Sequence, residues 1–175
     1  MKKLNLLKTI LDVFWFFSII GGIAILLFLP FYLIEAVPDI TLKIKDLKIV
    51  NHNAITKTIV VINAICSMVF LYSIYLIRKV VTLFQKREIF NNEVSRLLNL
   101  IGISIITSSI ISNLSIFIYR FVERNYNERG NFGFHLDFGG YDSFLITTSL
   151  GLFFMVISTI FKIATTIKEE NELTV

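Results

Sequence analysis

The chain has 175 residues, of which 55% are hydrophobic and 17% are charged, whereas ordinary soluble domains have about 25% charged residues. All of its 17 basic and 13 acidic residues lie outside four uncharged windows, at 13–34, 58–77, 97–119 and 143–161. Each window has the roughly 20 residues that a helix needs to cross a bilayer. The composition therefore excludes a soluble enzyme, a nucleic-acid-binding domain and a secreted disulfide scaffold. It predicts an all-α membrane protein, a four-helix transmembrane bundle.

The first window follows a basic lead that contains Lys2, Lys3 and Lys8. A signal peptide also begins with basic residues, but its apolar core is about 7–15 residues long and a small-residue cleavage motif follows it. This window has 22 apolar or uncharged residues and no clear cleavage motif after it. We therefore expect a retained membrane span that closes at Pro30, with Pro38 marking its exit into the loop.

The two outer loops, 35–57 and 120–142, each contain a segment with strand character. Residues 40–45 alternate between apolar and polar side chains, and the alternation slips at Asp46, which predicts a bulge. A matching segment at 132–138 is bounded by glycines. Because an isolated strand leaves its backbone groups unpaired, we expect the two segments to pair as a small extracytoplasmic two-strand β-element.

The connection at 78–96 mixes basic and apolar side chains, which predicts a basic amphipathic extension of the second helix. Phe90 is expected to turn inward and to pack on Val94 as a hydrophobic staple. Asn91 or Asn92 is expected to cap the third helix, because an asparagine side chain accepts a hydrogen bond from the first helical turn.

The distribution of charge predicts the orientation of the chain. An even number of spans places 1–12, 78–96 and 162–175 on one side, with 10 basic and 6 acidic residues, whereas the opposite side has 7 of each. The positive-inside rule then predicts a multi-pass protein of the cytoplasmic membrane with both termini in the cytoplasm. Since no linker or repeat divides the sequence, residues 1–175 are expected to form a single integral membrane domain.

The spans contain no Asp, Glu, Lys, Arg or His, which argues against a proton-coupled or ion-coupled transporter. His135 and Asp137 are placed to share one strand face, but with only the distant His52 to join them they are far from a metal signature. The sequence has no Gly-rich phosphate loop, no metalloprotease motif and no nucleophile elbow. We predict a protein that is not an enzyme and has no catalytic residue, no metal, no cofactor and no direct nucleic-acid partner.

Small and hydroxylated residues recur at intervals of four in all four spans. Such stripes let helices approach closely, and polar side chains across the contact contribute about 0.6 kcal/mol each. We interpret these residues as bundle packing: Ser18, Gly22, Asn63, Ser67, Ser104, Ser108, Ser112, Thr147 and Gly151. Two alternatives stay open, namely a homodimer face and a polar ligand groove built from Asn63, Ser67, Ser112 and Asn113.

Charged residues on the cytoplasmic side are the candidates for contact with lipid headgroups of the bilayer or with a cytosolic partner. They comprise a basic set and an acidic set: Arg78, Lys79, Lys86 and Arg87, and Glu169, Glu170 and Glu172. The basic set is also explained by its role in orienting the chain. Since the two sets have opposite charge, we further hypothesise that they pair with each other in a switchable contact.

Two cytoplasmic segments carry a family resemblance. Residues 77–97 resemble a pattern of basic helix, Phe turn, polar cap and resumed helix, and residues 169–175 end the chain as Glu-Glu-Asn-Glu-Leu-Thr-Val. With the four-span plan, these segments resemble the bacterial family of membrane proteins called domain of unknown function 2975, from whose pattern Ala164 departs where a glycine is expected. The resemblance implies no activity and no catalytic residue. Because members often sit beside a small helix-turn-helix regulator of the Cro/repressor type, it implies such a cytosolic partner.

These expectations together predict a bacterial inner-membrane protein that is a non-enzymatic sensor or regulator acting with a cytosolic helix-turn-helix regulator. The alternative is a membrane protein of small-molecule transport or peptide immunity. A polar cavity that crosses the whole bundle would favour this alternative, and a dry, tightly packed core would remove it.

Overall fold

The computed structural model describes residues 2–34, 42–44, 47–49, 53–87, 89–127 and 141–173. In chain order its elements are α1 (Lys2–Leu33), β1 (Leu42–Ile44), β2 (Leu47–Ile49), α2 (Ala54–Gln85), α3 (Asn92–Asn127) and α4 (Tyr141–Leu173). Each helix contains a stretch that is long and apolar enough to cross a membrane. The prediction of an all-α membrane protein with four transmembrane helices is confirmed.

The helices are 32, 32, 36 and 33 residues long, which is longer than the uncharged windows. A helix rises 1.5 Å per residue, so about 20 residues already cross the hydrocarbon, within which the helix satisfies all of its backbone groups internally. The remaining turns carry the charged side chains beyond the apolar layer. As predicted, α2 continues past its window, to Gln85.

Consecutive helices pack against each other, α1 on α2, α2 on α3 and α3 on α4. Two polar contacts identify the antiparallel arrangement, since Asn5 of α1 meets Gln85 of α2 and Asn92 of α3 meets Glu169 of α4. The start of α1, the end of α2, the start of α3 and the end of α4 therefore lie together. We call this the terminal end of the bundle, and the opposite end, which carries β1 and β2, the hairpin end.

Two clusters of buried apolar side chains hold the helices together. The larger one, here called the terminal core, comprises Leu76, Val80, Leu83, Val94, Leu97, Leu98, Ile101 and Ile105. Phe84 and Phe161 stack beside it with ring centroids 5.7 Å apart, so α4 is joined to the same cluster. A smaller cluster near the hairpin end comprises Tyr32, Ile59, Val60 and Tyr119.

Strands β1 and β2 form a local antiparallel hairpin with the register Leu42↔Ile49, Lys43↔Lys48 and Ile44↔Leu47. The sequence predicts one bulged strand here, and that interpretation is wrong because the two halves are separate strands that pair with each other. Asp46, the site of the expected bulge, lies outside the described residues, as does the segment 132–138. The pairing between the two outer loops therefore stays a prediction.

The turn between α2 and α3 differs from expectation at Phe90. Its side chain is 50% exposed, so the prediction that it turns inward is wrong. Asn91 behaves as predicted for a helix cap, because its Oδ1 accepts a hydrogen bond from the backbone N–H of Glu93 at 2.9 Å. The start of α3 is thus capped by Asn91 while the Phe90 side chain stays half-exposed.

Helix α1 continues through Pro30 to Leu33, so the prediction that the span closes at Pro30 is wrong. Proline lacks a backbone N–H and forfeits one helical hydrogen bond, and here that loss falls only three residues before the helix ends. The Pro30 carbonyl still accepts a hydrogen bond from the N–H of Ile34 at 3.0 Å, which completes the last turn.

Candidate functional site: a hydroxyl-lined cavity and the polar contacts around it

A cavity of about 350 Å³ lies between the helices, and all four contribute to its wall. Its polar lining consists of Ser18, Ser67, Ser108, Ser109, Ser112, Asn113, Ser143 and Thr147. The apolar part of the wall includes Cys66, Phe70 and Leu71 of α2. Ser143 and Thr147 are near the start of α4, whereas the lining residues of the other three helices lie close to the middle of each helix.

Four of the lining hydroxyls, those of Ser18, Ser67, Ser108 and Thr147, donate to backbone carbonyls of their own helices. Ser18 donates to the Phe14 carbonyl at 2.7 Å, and Thr147 donates to the Ser143 carbonyl, also at 2.7 Å. Ser67 donates in the same way to the backbone of α2, at 2.9 Å. A hydroxyl that has donated its proton keeps lone pairs as acceptors. The wall therefore offers uncharged hydrogen-bond acceptors, which suit a small neutral molecule rich in N–H or O–H groups.

The polar lining ends where the terminal core begins. On α2 the cavity residues at 66–71 precede the terminal-core residues at 76–83, and on α3 the core residues at 94–105 precede the cavity residues at 108–113. Ile101 and Ile105, on the terminal side of the cavity, are 0% and 2% exposed. Within the described residues the cavity is thus bounded by a close-packed apolar cluster and does not cross the bundle.

Asn63 joins α2 to α3 beside the cavity. Its Oδ1 accepts a hydrogen bond from the Ser112 hydroxyl at 2.7 Å, and its Nδ2 donates to the Ser115 hydroxyl at 3.0 Å and to the Ile59 carbonyl at 2.9 Å. Asn63 is only 9% exposed. A buried amide whose partners come from both helices fixes their relative rotation, and that rotation decides which hydroxyls face the cavity.

The contact between α3 and α4 depends on two glycines that face each other. A Cβ on Gly102 would lie 2.6 Å from the Gly151 carbonyl oxygen, and a Cβ on Gly151 would lie 2.5 Å from Cγ1 of Ile106. Both distances are shorter than real Cβ contacts, so neither glycine tolerates a side chain without displacement of its neighbour. Backbone approach at this point needs the absence of a Cβ.

Seven residues away along each helix, Ser95 and Ser158 form a reciprocal pair. The Ser95 hydroxyl donates to the Ser158 carbonyl at 2.9 Å, and the Ser158 hydroxyl donates to the Ser95 carbonyl at 2.7 Å. Neither Ser95 nor Ser158 belongs to the small-residue stripes predicted from the sequence, and Ser95 lies outside the third uncharged window. The mirrored spacing Ser95-x6-Gly102 and Gly151-x6-Ser158 was the available signal, since seven residues are two helical turns.

We expect the double substitution Ser95→Ala and Ser158→Ala to lower the free energy of unfolding by about 1 kcal/mol, because interhelical hydrogen bonds in membranes contribute about 0.6 kcal/mol each. Denaturation in detergent micelles, followed by circular dichroism, measures this change. Ser104→Ala is the matched control, because Ser104 is a half-buried serine of α3 whose side chain has no hydrogen bond within the described residues. An equal loss in the control would contradict the assigned contact.

A layer of polar contacts connects the helices at the terminal end. Arg78 of α2 pairs with Asp12 of α1, and Lys79 of α2 pairs with Glu93 of α3 at 2.6 Å. Glu93 lies outside the uncharged span, and the hydrogen bond and positive charge of Lys79 lower the pKa of its carboxyl. Gln85 donates to Oδ1 of Asn5 at 3.0 Å, which joins α1 to the end of α2.

The hypothesised pairing between the basic and acidic sets stays a prediction, because the contact described for Glu169 comes from the uncharged Asn92, whose Nδ2 donates to it at 3.4 Å. Arg78 and Lys79 instead use Asp12 and Glu93 as partners, and Glu172 pairs with Lys168 on its own helix at 3.6 Å. Lys86, Arg87, Glu169, Glu170 and Glu172 are all exposed. Next to them, an open groove of about 650 Å³ is lined by Phe90, Ala164, Ile167, Lys168, Asn171 and Glu172.

The residues interpreted as bundle packing have two different positions. Gly22 faces Leu71 and Met68 of α2, Gly151 faces α3, and Asn63 bonds to α3, so these three lie at contacts between helices. The other group lines the cavity: Ser18, Ser67, Ser108, Ser112 and Thr147. Ser104 is half-buried and belongs to neither group. The groove proposed from Asn63, Ser67, Ser112 and Asn113 coincides with one wall of the cavity and the amide beside it.

Metal-ligating side chains do not cluster in the part of the chain that the structure describes, where no three of His, Cys, Asp and Glu come together. His52, His135 and Asp137 lie outside the described residues. Cys66, the single cysteine, is 7% exposed and belongs to the cavity wall.

The four long apolar helices define the class, the multi-pass membrane proteins. The chain belongs to the family described as "Protein of unknown function (DUF2975)", whose model matches residues 12–175. The family resemblance noted from the sequence is thereby confirmed. No curated protein and no solved structure is similar enough to match.

Proposed function

We propose that this protein is a non-enzymatic membrane sensor that binds a small polar molecule in its hydroxyl-lined cavity and transmits occupancy to a cytosolic helix-turn-helix regulator. The observation that carries the proposal is the cavity itself, because all four helices line it and the terminal core closes it on one side. A site that the terminal core closes on one side suits detection of a ligand better than its passage through the bundle. Because the terminal core blocks passage through the bundle, the cavity disfavours the transport alternative.

The ligand is a small neutral molecule rich in hydrogen-bond donors. The wall offers hydroxyl oxygens as acceptors and no charged side chain among the described lining residues. A full charge would lose its hydration on entry without a counter-charge to replace it, which is costly in a membrane interior. With its orientation as predicted from the positive-inside rule, the protein would take this ligand from the extracytoplasmic side.

Helices α2 and α3 would transmit occupancy of the cavity to the terminal end of the bundle, because they contribute to both. Asn63 and Ser112 border the cavity on α2 and α3, and the same two helices carry the Lys79–Glu93 pair at the terminal end. A change in the rotation of α2 against α3 would therefore alter both sites. A ligand shifts such an equilibrium only by its different affinity for the two arrangements.

The acidic end of α4 is the proposed contact for the regulator. Glu169, Glu170 and Glu172 are exposed there within a few residues. A helix-turn-helix protein carries a basic surface for DNA phosphates, so an acidic segment complements it and competes with DNA. The gene neighbourhood implied by the family resemblance supports this type of partner.

The cavity is tested by Thr147→Leu, which adds apolar volume to the wall. A small polar reagent that modifies thiols is added to the extracytoplasmic side of oriented vesicles. We expect Cys66 to react with it about tenfold more slowly in the variant, which corresponds to about 1.4 kcal/mol of added barrier. The matched control is Thr107→Leu, because Thr107 also donates to its own helix backbone but is exposed on the outer surface of α3. Equal rates in wild type and both variants would overturn the proposed access route.

The partner is tested by recovery of the protein from solubilised membranes with its C-terminus left untagged. We expect a DNA-binding regulator to be recovered with the wild-type chain and to be lost when Glu169, Glu170 and Glu172 are replaced by glutamine. We further expect Thr147→Leu, but not Thr107→Leu, to change transcript levels of the regulator's targets. Failure of both outcomes would remove the sensor proposal and leave peptide immunity as the candidate.

A further inference from the structure

The terminal end of the bundle has cations that the ion pairs there do not use. Segments 2–12 and 78–93 contain seven basic residues. Arg78 and Lys79 are paired with Asp12 and Glu93. Within the described residues no salt bridge is formed by the other five, which are Lys2, Lys3, Lys8, Lys86 and Arg87, although the charge of Lys86 contributes to lowering the pKa of Glu93.

The structure brings these five residues into two adjoining groups. Asn5 of α1 accepts a hydrogen bond from Gln85 at 3.0 Å, and Lys86 and Arg87 follow Gln85 directly. Lys2 and Lys8 are each three residues from Asn5, so they share its helix face towards the end of α2. Lysines from the start of α1 and the cations at the end of α2 therefore border one site, although about 80 residues separate them in sequence.

Arg87 has a backbone conformation that favours a different residue. Its φ is 63°, in the left-handed region, at the position after the helix end where glycine is preferred. Its N–H donates to the Phe84 carbonyl at 3.2 Å, which is a backbone contact that glycine would make equally well. A non-glycine residue at this φ motivates the hypothesis that its side chain has a role, and the Arg87 side chain is exposed.

We propose that Lys2, Lys8, Lys86 and Arg87 bind the phosphate group of an anionic phospholipid at the terminal end of the bundle. Guanidinium binds phosphate with two parallel hydrogen bonds, and lysine ammonium groups add charge around it. A lipid is favoured over a dissolved phosphate because α1 exposes apolar side chains beside these cations. Leu6, Leu7 and Ile10 are 64%, 45% and 48% exposed, and they are placed to contact the acyl chains of the same lipid.

The proposal goes beyond the sensor function, since it concerns a different end of the molecule and needs neither the cavity nor the regulator. Its test uses the full chain in a neutral detergent, with thermal unfolding measured as phosphatidylglycerol is added. Phosphatidylcholine and inorganic phosphate are titrated in parallel. We expect phosphatidylglycerol to raise the unfolding temperature in a saturable way, and we expect the other two to leave it nearly unchanged.

Arg87→Gly separates the role of the side chain from that of the fold. Without lipid, the variant should unfold at the same or a higher temperature than wild type, because glycine adopts a positive φ without strain. The affinity of Arg87→Gly for phosphatidylglycerol should be about fivefold lower than that of wild type. The affinity of the double variant Lys86→Gln and Arg87→Gly should be about thirtyfold lower, because each lost charge costs about 1 kcal/mol. Lys162→Gln is the matched control for Lys86→Gln, since Lys162 is an exposed lysine of α4 away from this site.

Each other outcome overturns the proposal in a distinct way. Equal protection by inorganic phosphate would identify a general anion site, and equal protection by phosphatidylcholine would identify a purely apolar contact. If Lys162→Gln weakens binding as much as Lys86→Gln, the effect is diffuse attraction and not a site. If Arg87→Gly lowers the unfolding temperature without lipid, the arginine has a structural role instead.

Discussion

Replacement of Gly102 by alanine is expected to lower the free energy of unfolding by about 1–3 kcal/mol, the usual cost of an added carbon in a close-packed contact. The new Cβ would lie 2.6 Å from the Gly151 carbonyl oxygen and 2.6 Å from Cγ of Met155, so α3 and α4 must move apart. Alanine also favours the helix over glycine by about 1 kcal/mol, and the loss is expected despite that gain. Reversible unfolding in mixed micelles with increasing sodium dodecyl sulfate measures it.

Gly21→Ala is the matched control for this experiment. It makes the same chemical change in a transmembrane helix, but a Cβ on Gly21 meets no atom within 4 Å. We expect stability to stay unchanged or to rise by up to about 1 kcal/mol, because the helix loses a flexible residue. If both variants shift stability in the same direction, the close approach at Gly102 is not what holds α3 against α4.

Replacement of Asn63 by leucine is expected to cost about 1–2 kcal/mol and to loosen α2 from α3. The amide makes two hydrogen bonds to α3, with Ser112 at 2.7 Å and with Ser115 at 3.0 Å. Bonds of this kind contribute about 0.6 kcal/mol on average and about 1.7 kcal/mol at most in a membrane. Leucine has a similar volume, so the experiment removes the hydrogen bonds and leaves the packing nearly unchanged. Unfolding in mixed micelles again provides the measurement.

Asn99→Leu makes the same substitution at a half-buried asparagine of α3 whose side chain has no hydrogen bond within the described residues, so its stability should change little. A double-mutant cycle with Ser112→Ala then isolates the bond at Asn63. We expect the two substitutions to be non-additive, because either one alone removes the same contact. Strict additivity would show that Asn63 acts through packing and not through this bond.

The rotation that Asn63 imposes also bears on the proposed sensor. Ser108 and Ser112 line the cavity, whereas Thr107, next to Ser108 on the same helix, is exposed on the outer surface. A turn of α3 by one residue position would therefore exchange cavity hydroxyls for lipid-facing ones. Asn63→Leu is accordingly expected to alter the reactivity of Cys66 as well as stability, since both depend on how α2 faces α3.

Several features of the fold were predictable from single segments of sequence. The four uncharged windows predicted four spans because an unpaired charge or an unsatisfied backbone group is too costly in hydrocarbon for any other arrangement. The cap at Asn91 was predictable because it depends only on residues within one helical turn. The family resemblance also rested on local segments, at 77–97 and 169–175.

The site depended on information that no single segment contains. Ser67 and Gly151 have the same stripe pattern in sequence, yet one lines the cavity and the other lies at a helix contact. Likewise, Arg78 was grouped with cations that face an acidic tail, but its partner is Asp12, which belongs to the first helix. The position of each small residue and the ion-pair partner of Arg78 both depend on which helix lies opposite.

The sequence by itself thus determined that this protein crosses the membrane four times, where its helices run and where its charges accumulate. The cost of placing polar groups in hydrocarbon is several kcal/mol per group and acts on each segment separately. Only the tertiary structure decided which small residues pack, which surround a cavity, and which cations form ion pairs. Those choices depend on helix rotation and neighbour order, which are set by many interhelical contacts of about 0.6 kcal/mol acting together.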